Sequence, residues 1–129
     1  MRLILDSTVI IDALRGRPAV ERLRSHHDAG DDLCATAISV DEVVRGLFDH
    51  ERVRAQRIFD GLLVVPLGRR EGWQAGTWRR DFSSRGITLS QPDCLIAAAA
   101  LTAQARLATG NPNDFPMTEI AVEFWPVGS

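Results

Sequence analysis

Residues 3–14 read LILDSTVIIDAL. Leu3, Ile4 and Leu5 form a short unbroken apolar run, and Asp6 stops it. An apolar run without polar alternation suits a strand covered on both faces, as in a parallel sheet. Ser7 and Thr8 then offer hydroxyls to a helix start, and residues 9–14 predict a short helix. The same outline recurs along the chain. Further strands are expected at 33–36, 62–67 and 106–109, with an edge strand at 121–125. Pro18 opens a second helix, since proline is tolerated in a first helical turn, and Gly30 closes it. Further helices are expected at 39–48, 51–60, 69–85 and from Ser90 and Pro92 through the alanine run to about 104. Short apolar strands separated by helices give an α/β fold. The expectation is one domain over residues 1–129, with a central parallel sheet of four to five short strands and helices on both faces.

Composition agrees with that reading. The chain has 129 residues, 15 basic and 17 acidic, and a formal net charge of −2. This size fits one core. The charge excludes a globally basic nucleic-acid binder, though not a local basic patch. Every basic residue is arginine; there is no lysine. A Walker-type phosphate loop, a Schiff-base enzyme and a phospho-acceptor receiver domain all need a lysine, so all three are set aside. Cys34 and Cys94 stand apart in apolar surroundings and read as buried reduced thiols. The longest apolar run, residues 94–101, is far short of the ~20 residues of a membrane helix. The opening MRLILDSTVI is interrupted too early for a signal peptide. A cytoplasmic protein with no membrane partner is expected.

In a parallel α/β sheet, ligands bind beyond the carboxyl ends of the strands. Asp6 follows the first strand, Glu42 lies one turn into the helix after the second, Asp93 starts the sixth helix, and Asn111 and Asp114 follow the fourth strand. Each acid has a plainer reading. Asp6 is a candidate N-cap. Ser39 and Glu42 match a Ser-x-x-Glu capping box. Asp93 suits a first helical turn, and Asp114 a turn. Helix starts explain each acid separately but not their common edge. Carboxylates brought together repel, and a divalent cation relieves the conflict. Oxygen donors without His or Cys favour Mg²⁺ or Mn²⁺. Such sites suit phosphodiester chemistry.

The segments LILDSTVIIDAL, AISVDEVVRGL, LSQPDCLIAAAA and LATGNPNDF resemble, in order, the four signature blocks of PIN-domain ribonucleases. They are most similar to VapC toxins of bacterial toxin–antitoxin pairs. The resemblance implies Asp6, Glu42 and Asp93 as an acidic triad with Asp114 as fourth acid. It implies that Asp6, Asp93 and Asp114 hold Mg²⁺, that Thr8 supports Asp6, and that Asn111 is a polar neighbour of the metal. Glu42 would complete a second ion or help deprotonate water. Two departures stand out. Gly110 occupies a position where the family often has arginine, and the first block reads Asp-Ser-Thr rather than Asp-Thr-Ser. The resemblance also implies a homodimer and a VapB-type antitoxin, for which the third and fourth helices near Leu47 and Phe48 are the expected groove.

An acidic pocket repels RNA, so cations must come from elsewhere. Arg15, Arg17, Arg45, Arg79, Arg80 and Arg85 are candidate phosphate contacts, against the plainer reading of solvated helix faces. Trp73 and Trp78 can stack on bases, although core or interface is the favoured expectation. His26, His27 and His50 are assigned no role. Competing readings are a structure-specific DNA nuclease of the same fold, a non-catalytic PIN-like binding module, and a haloacid-type phosphatase. The last needs a second Asp where Thr8 stands, and a lysine.

Overall fold

The computed structural model describes residues 1–128. Over them the chain runs β1 (Arg2–Leu5), α1 (Ser7–Leu14), α2 (Ala19–Asp28), β2 (Asp32–Ala35), α3 (Ala37–Arg45), a 3-10 turn (Asp49–Glu51) and α4 (Arg52–Asp60). It continues through β3 (Leu63–Val64), α5 (Arg69–Ser83), α6 (Gln91–Thr102), β4 (Arg106–Thr109), a second 3-10 turn (Pro112–Asp114) and β5 (Val122–Phe124). The sheet order is β3-β2-β1-β4-β5, and every pairing is parallel. The expected α/β class and the edge position of β5 both hold.

Strand alternation divides the core in two. Ile4, Cys34 and Leu107 face one side, with α5 and α6 packed on them. Leu3, Leu5, Ala35 and Ala108 face the other, against α1, α2 and α3. The apolar run of β1 is therefore required on both faces, which is why it lacks alternation. Along α6, residues 96–100 are all buried. A helix that is apolar all round must be covered on all sides, and its alanines allow α5 and the sheet to approach closely.

β1 is central and pairs with β2 on one side and β4 on the other. The chain thus reverses its direction of travel across the sheet at β1. Such a reversal leaves a crevice beyond the carboxyl ends of the two strands. Asp6 sits at its floor, its amide donating to the carbonyl of Ala108 (2.9 Å).

Two elements differ from expectation. α3 starts at Ala37, not Ser39, and its N-cap is Thr36, whose hydroxyl accepts from the Ser39 amide (3.3 Å). Ser39 is fully buried and its hydroxyl donates to the carbonyl of Leu5 (3.5 Å). Burial of Thr36 at the end of β2 moves the helix start two residues back, so Glu42 stands beyond the first turn and no Ser39–Glu42 capping box forms. β3 is two residues rather than six, because it pairs only with Cys34 and Ala35 at the end of β2.

Asp12 ties three segments together. Its buried carboxylate accepts from the Ala19 amide at the start of α2 (3.0 Å) and from the Gly128 amide of the tail (2.8 Å). Asp12→Ala leaves both amides without this partner and is expected to destabilise the fold by about 2 kcal/mol. Asp12→Asn, which retains one acceptor oxygen, should cost less. Urea unfolding of the three proteins checks the order.

Candidate active site

Asp6 is buried at the crevice floor. Its backbone is extended, and its Oδ1 accepts from the Ser7 amide (2.8 Å), capping α1. Its Oδ2 accepts from the hydroxyls of Thr109 (2.8 Å) and Thr8 (3.2 Å). Each hydroxyl is itself anchored. Thr8 Oγ1 accepts from the Gly110 amide (3.0 Å), and Thr109 Oγ1 accepts from the Asn111 amide (3.0 Å). An oxygen that accepts an amide proton has its own proton turned elsewhere, here towards Asp6. The N-cap reading of Asp6 is thus satisfied, by a carboxylate that also lies at the floor of the crevice.

Burial pushes the Asp6 carboxyl above the usual carboxylate range. The bonds from Thr109, Ser7 and Thr8 pull it back, and the charge of Asp114 raises it further. Asp93 is half-buried in the first turn of α6, where its amide donates to the hydroxyl of the N-cap Ser90 (3.2 Å). Burial raises its carboxyl, the Ser90 hydroxyl opposes, and the charges of Asp6, Asp114 and Glu42 raise it again. Acids separated by up to 108 positions (114 − 6) in the sequence therefore act through space on Asp6 and Asp93. Asp114 is exposed on the second 3-10 turn and Glu42 is half-buried on α3.

This convergence is one of charge. Among the described residues, no three His, Cys, Asp or Glu side chains form a ready-made metal shell. Nor does any of the four carboxylates have a cationic partner within 4 Å among those residues. A carboxylate offers about four lone-pair sites, and the three bonds to Asp6 leave one on Oδ1. Cys94, the neighbour of Asp93, does not compete as a soft ligand, because burial pushes its thiol up to about 11. The donor set is therefore oxygen, and it fits a hard divalent cation.

Thr109 carries a role that the sequence reading did not assign. It lies inside LATGNPNDF, so the signal was a hydroxyl on the last residue of a strand next to β1. Asn111 reaches the network through its backbone amide, while its side chain is exposed. Gly110 lies under the tail. A β-carbon there would meet both Val127 methyls at 3.0 Å and the Thr8 hydroxyl at 3.4 Å, so the arginine common at this position has no room unless Val127 moves.

The candidate phosphate contacts are scattered. Arg15 pairs with Glu51 (3.4 Å) and lies 5.8 Å over the Phe48 ring. Arg85 lies 4.2 Å over the Phe82 ring. Arg17, Arg45, Arg79 and Arg80 are exposed. Of these, Arg79 acts electrostatically on Cys94, beside Asp93. The two tryptophans separate. Trp78 is buried and its indole donates to Glu119 (2.6 Å), whereas Trp73 is 74% exposed. Both cysteines are free and buried, as expected. No helix among the described residues is long and apolar enough to cross a membrane.

The family profile of the PIN domain matches residues 3–120. The chain belongs to the PIN-domain family. It is 31% identical over 119 residues to Ribonuclease VapC19 of Mycobacterium tuberculosis, covering 88% of this chain and 92% of that protein. A DNA-bound VapBC structure from Salmonella typhimurium superposes with a TM-score of 0.83 at 19% identity, over 97% of this chain and 98% of that one. A toxin–antitoxin complex from Klebsiella pneumoniae gives 0.76 at 20% identity, over 92% and 95%. These likenesses below 25% identity speak to the fold of this PIN domain.

The acids of this PIN domain make a prediction in the absence of metal. A native carboxyl raised above its unfolded value stabilises the fold fully below that unfolded value. The contribution is lost as pH rises through the native one. Asp93→Asn in chelator should therefore raise the melting temperature at neutral pH, and the gain should shrink as pH falls through the carboxylate range. Scanning calorimetry at several pH values reads both effects.

Proposed function

We propose that this chain is a metal-dependent endoribonuclease, the toxin of a type II toxin–antitoxin pair. The observation that carries the reading is the uncompensated group of four acids at the switch point of a PIN fold. The relative named as a ribonuclease supports RNA as the polymer that is cut.

Asp6, Asp93 and Asp114 would hold Mg²⁺, with Mn²⁺ as a substitute. Asp6 would offer its remaining lone pair on Oδ1, and a bound cation would relieve the mutual repulsion of the three carboxylates. The ion supplies Lewis acidity and neutralises charge on the phosphate. The residues of the chain do the rest. Thr8 and Thr109 hold Oδ2 so that Asp6 keeps one orientation, the role of groups behind a ligand. Glu42, free of any capping duty, accepts a proton from the attacking water. The raised carboxyls of Asp6 and Asp93 reflect the cost of keeping this site charged before a cation arrives.

An antitoxin of the VapB type is the proposed inhibitor, as the neighbour described as a toxin–antitoxin complex suggests. Val44, Phe48 and Val53, each more than half exposed on or between α3 and α4, offer it an apolar face. An arginine from that partner would pair with the acids in place of metal. A homodimer in the cytoplasm completes the proposal, in keeping with two buried free thiols.

RNA and single-stranded DNA incubated with Mg²⁺, Mn²⁺ or chelator provide the test. Metal-dependent cleavage of RNA is expected, with a loss of at least about 100-fold in Asp93→Asn, the scale of removing a charge-stabilising group at a reaction centre. Glu42→Gln should lose activity while keeping its melting temperature. Preferred cutting of DNA, or full activity of Asp93→Asn, would overturn the assignment.

A further inference from the structure

A second feature of the molecule lies away from the acids. At the opposite end of the α5–α6 hairpin is a cavity of about 550 Å³, lined by Arg69, Arg70, Trp73, Gln74, Leu101 and Thr102. Asp93 and Thr102 are nine residues apart on α6 (102 − 93), so the cavity lies about 14 Å along that helix from the acidic site. Trp78 and Trp125 are each 3% exposed, against 74% for Trp73. The buried stripe of α5 is Glu71, Ala75, Trp78 and Phe82. Trp73 is five residues from Trp78, about 140° round the helix, and so falls outside the stripe. Packing therefore gives this large ring no duty.

Its surroundings are cationic. Neither Arg69 nor Arg70 has an acidic partner within 4 Å among the described residues. An adjoining cavity of about 390 Å³ shares Arg70 and Thr102; the Arg2 on its wall is already committed, to Asp32 (3.9 Å) and to the carbonyl of Ala103 (3.0 Å). The acid at this border, Glu71, is buried, accepts from the Gly68 amide (2.7 Å) and feels the charge of Arg70 without pairing with it. An exposed indole flanked by unpaired guanidiniums has the chemistry of a single-stranded nucleic-acid platform. The ring takes the face of any base, and the guanidiniums take the phosphates.

We propose that this cavity is a second RNA-binding site, in which Trp73 stacks on an unpaired base and Arg69 and Arg70 hold the flanking phosphates. It anchors the strand away from the acids, where the charge of the protein favours the polymer instead of repelling it. Its use in cleavage rests on the ribonuclease reading; binding itself does not. The wall of the cavity is mainly apolar, which a protein partner could also use; the two guanidiniums without an acidic partner, whose charge suits phosphate, favour the polymer.

Intrinsic fluorescence gives a direct readout, because the other two tryptophans are buried. Short polyuridylate RNA, added in chelator so that nothing is cut, should quench the exposed fraction. Trp73→Ala should remove that quenching and weaken binding at least tenfold. Arg69→Gln/Arg70→Gln should retain the ring but lower the slope of log K against log salt by about 1.4, two single-strand phosphate contacts. Asp93→Asn should quench like the unaltered protein. In the cleavage assay, Trp73→Ala should raise KM with kcat unchanged. Binding and KM equal to the unaltered protein in both the Trp73 and the arginine variants would overturn the site while leaving the ribonuclease reading intact. Emission that shifts with protein concentration alone, and is lost in Trp73→Ala, would overturn it in favour of contact between copies. Quenching without any cleavage would overturn the ribonuclease reading and keep the site.

Discussion

Two threonine hydroxyls donate to one oxygen of Asp6, and the rest of the site depends on that arrangement. One hydroxyl comes from α1 and the other from the end of β4. Each is fixed in turn by an amide of the loop after β4. The carboxylate therefore joins β1, α1 and the neighbouring strand at the place where the order of the sheet reverses. Burial pushes its proton affinity up, and the hydrogen bonds oppose that rise. What results is a carboxylate that is desolvated, oriented and still able to accept one more partner.

Around it the electrostatics are arranged by separation. Among the described residues, none of the four acids has an arginine within 4 Å. The arginines lie elsewhere, some committed to the fold. Arg15 is held by Glu51, whose carboxyl is drawn below its usual range chiefly by the Phe48 amide. Arg22 lies over Trp125, and Arg106 pairs with Glu123 (3.0 Å). A net charge near zero thus conceals a strongly uneven surface. On the proposed reading, a cation at the acidic edge and a polyanion at the arginines would not compete for the same side chains.

The elements that were legible beforehand are those whose signal is local. β1 and β4 declare themselves by apolar runs, α6 by Ser90, Pro92 and alanine, and the acids by their position after strands. The N-cap of α3 was not legible, since Thr36 and Ser39 are both good caps. Burial at the end of β2 chose Thr36 and turned Ser39 inward, and Glu42 was thereby released from a capping box. The length of β3 was not legible either, because it is set by where β2 stops. Trp73 and Trp78 carry the same chemistry in one segment, and only their angular positions on α5 distinguish a core residue from an exposed one.

By itself, the order of residues determined the α/β class and the exclusion of lysine chemistry, and it singled out the acids as candidates. These follow from periodicity and residue type, which act over a few positions. The tertiary structure alone decided that Asp93 feels the charges of Asp6, Glu42 and Asp114, that Thr109 holds Asp6, that Val127 closes over Gly110, and that Trp73 faces solvent. Each of these is a relation between distant segments. Such relations are fixed by which strands pair and which helix faces are covered, and no local pattern encodes them.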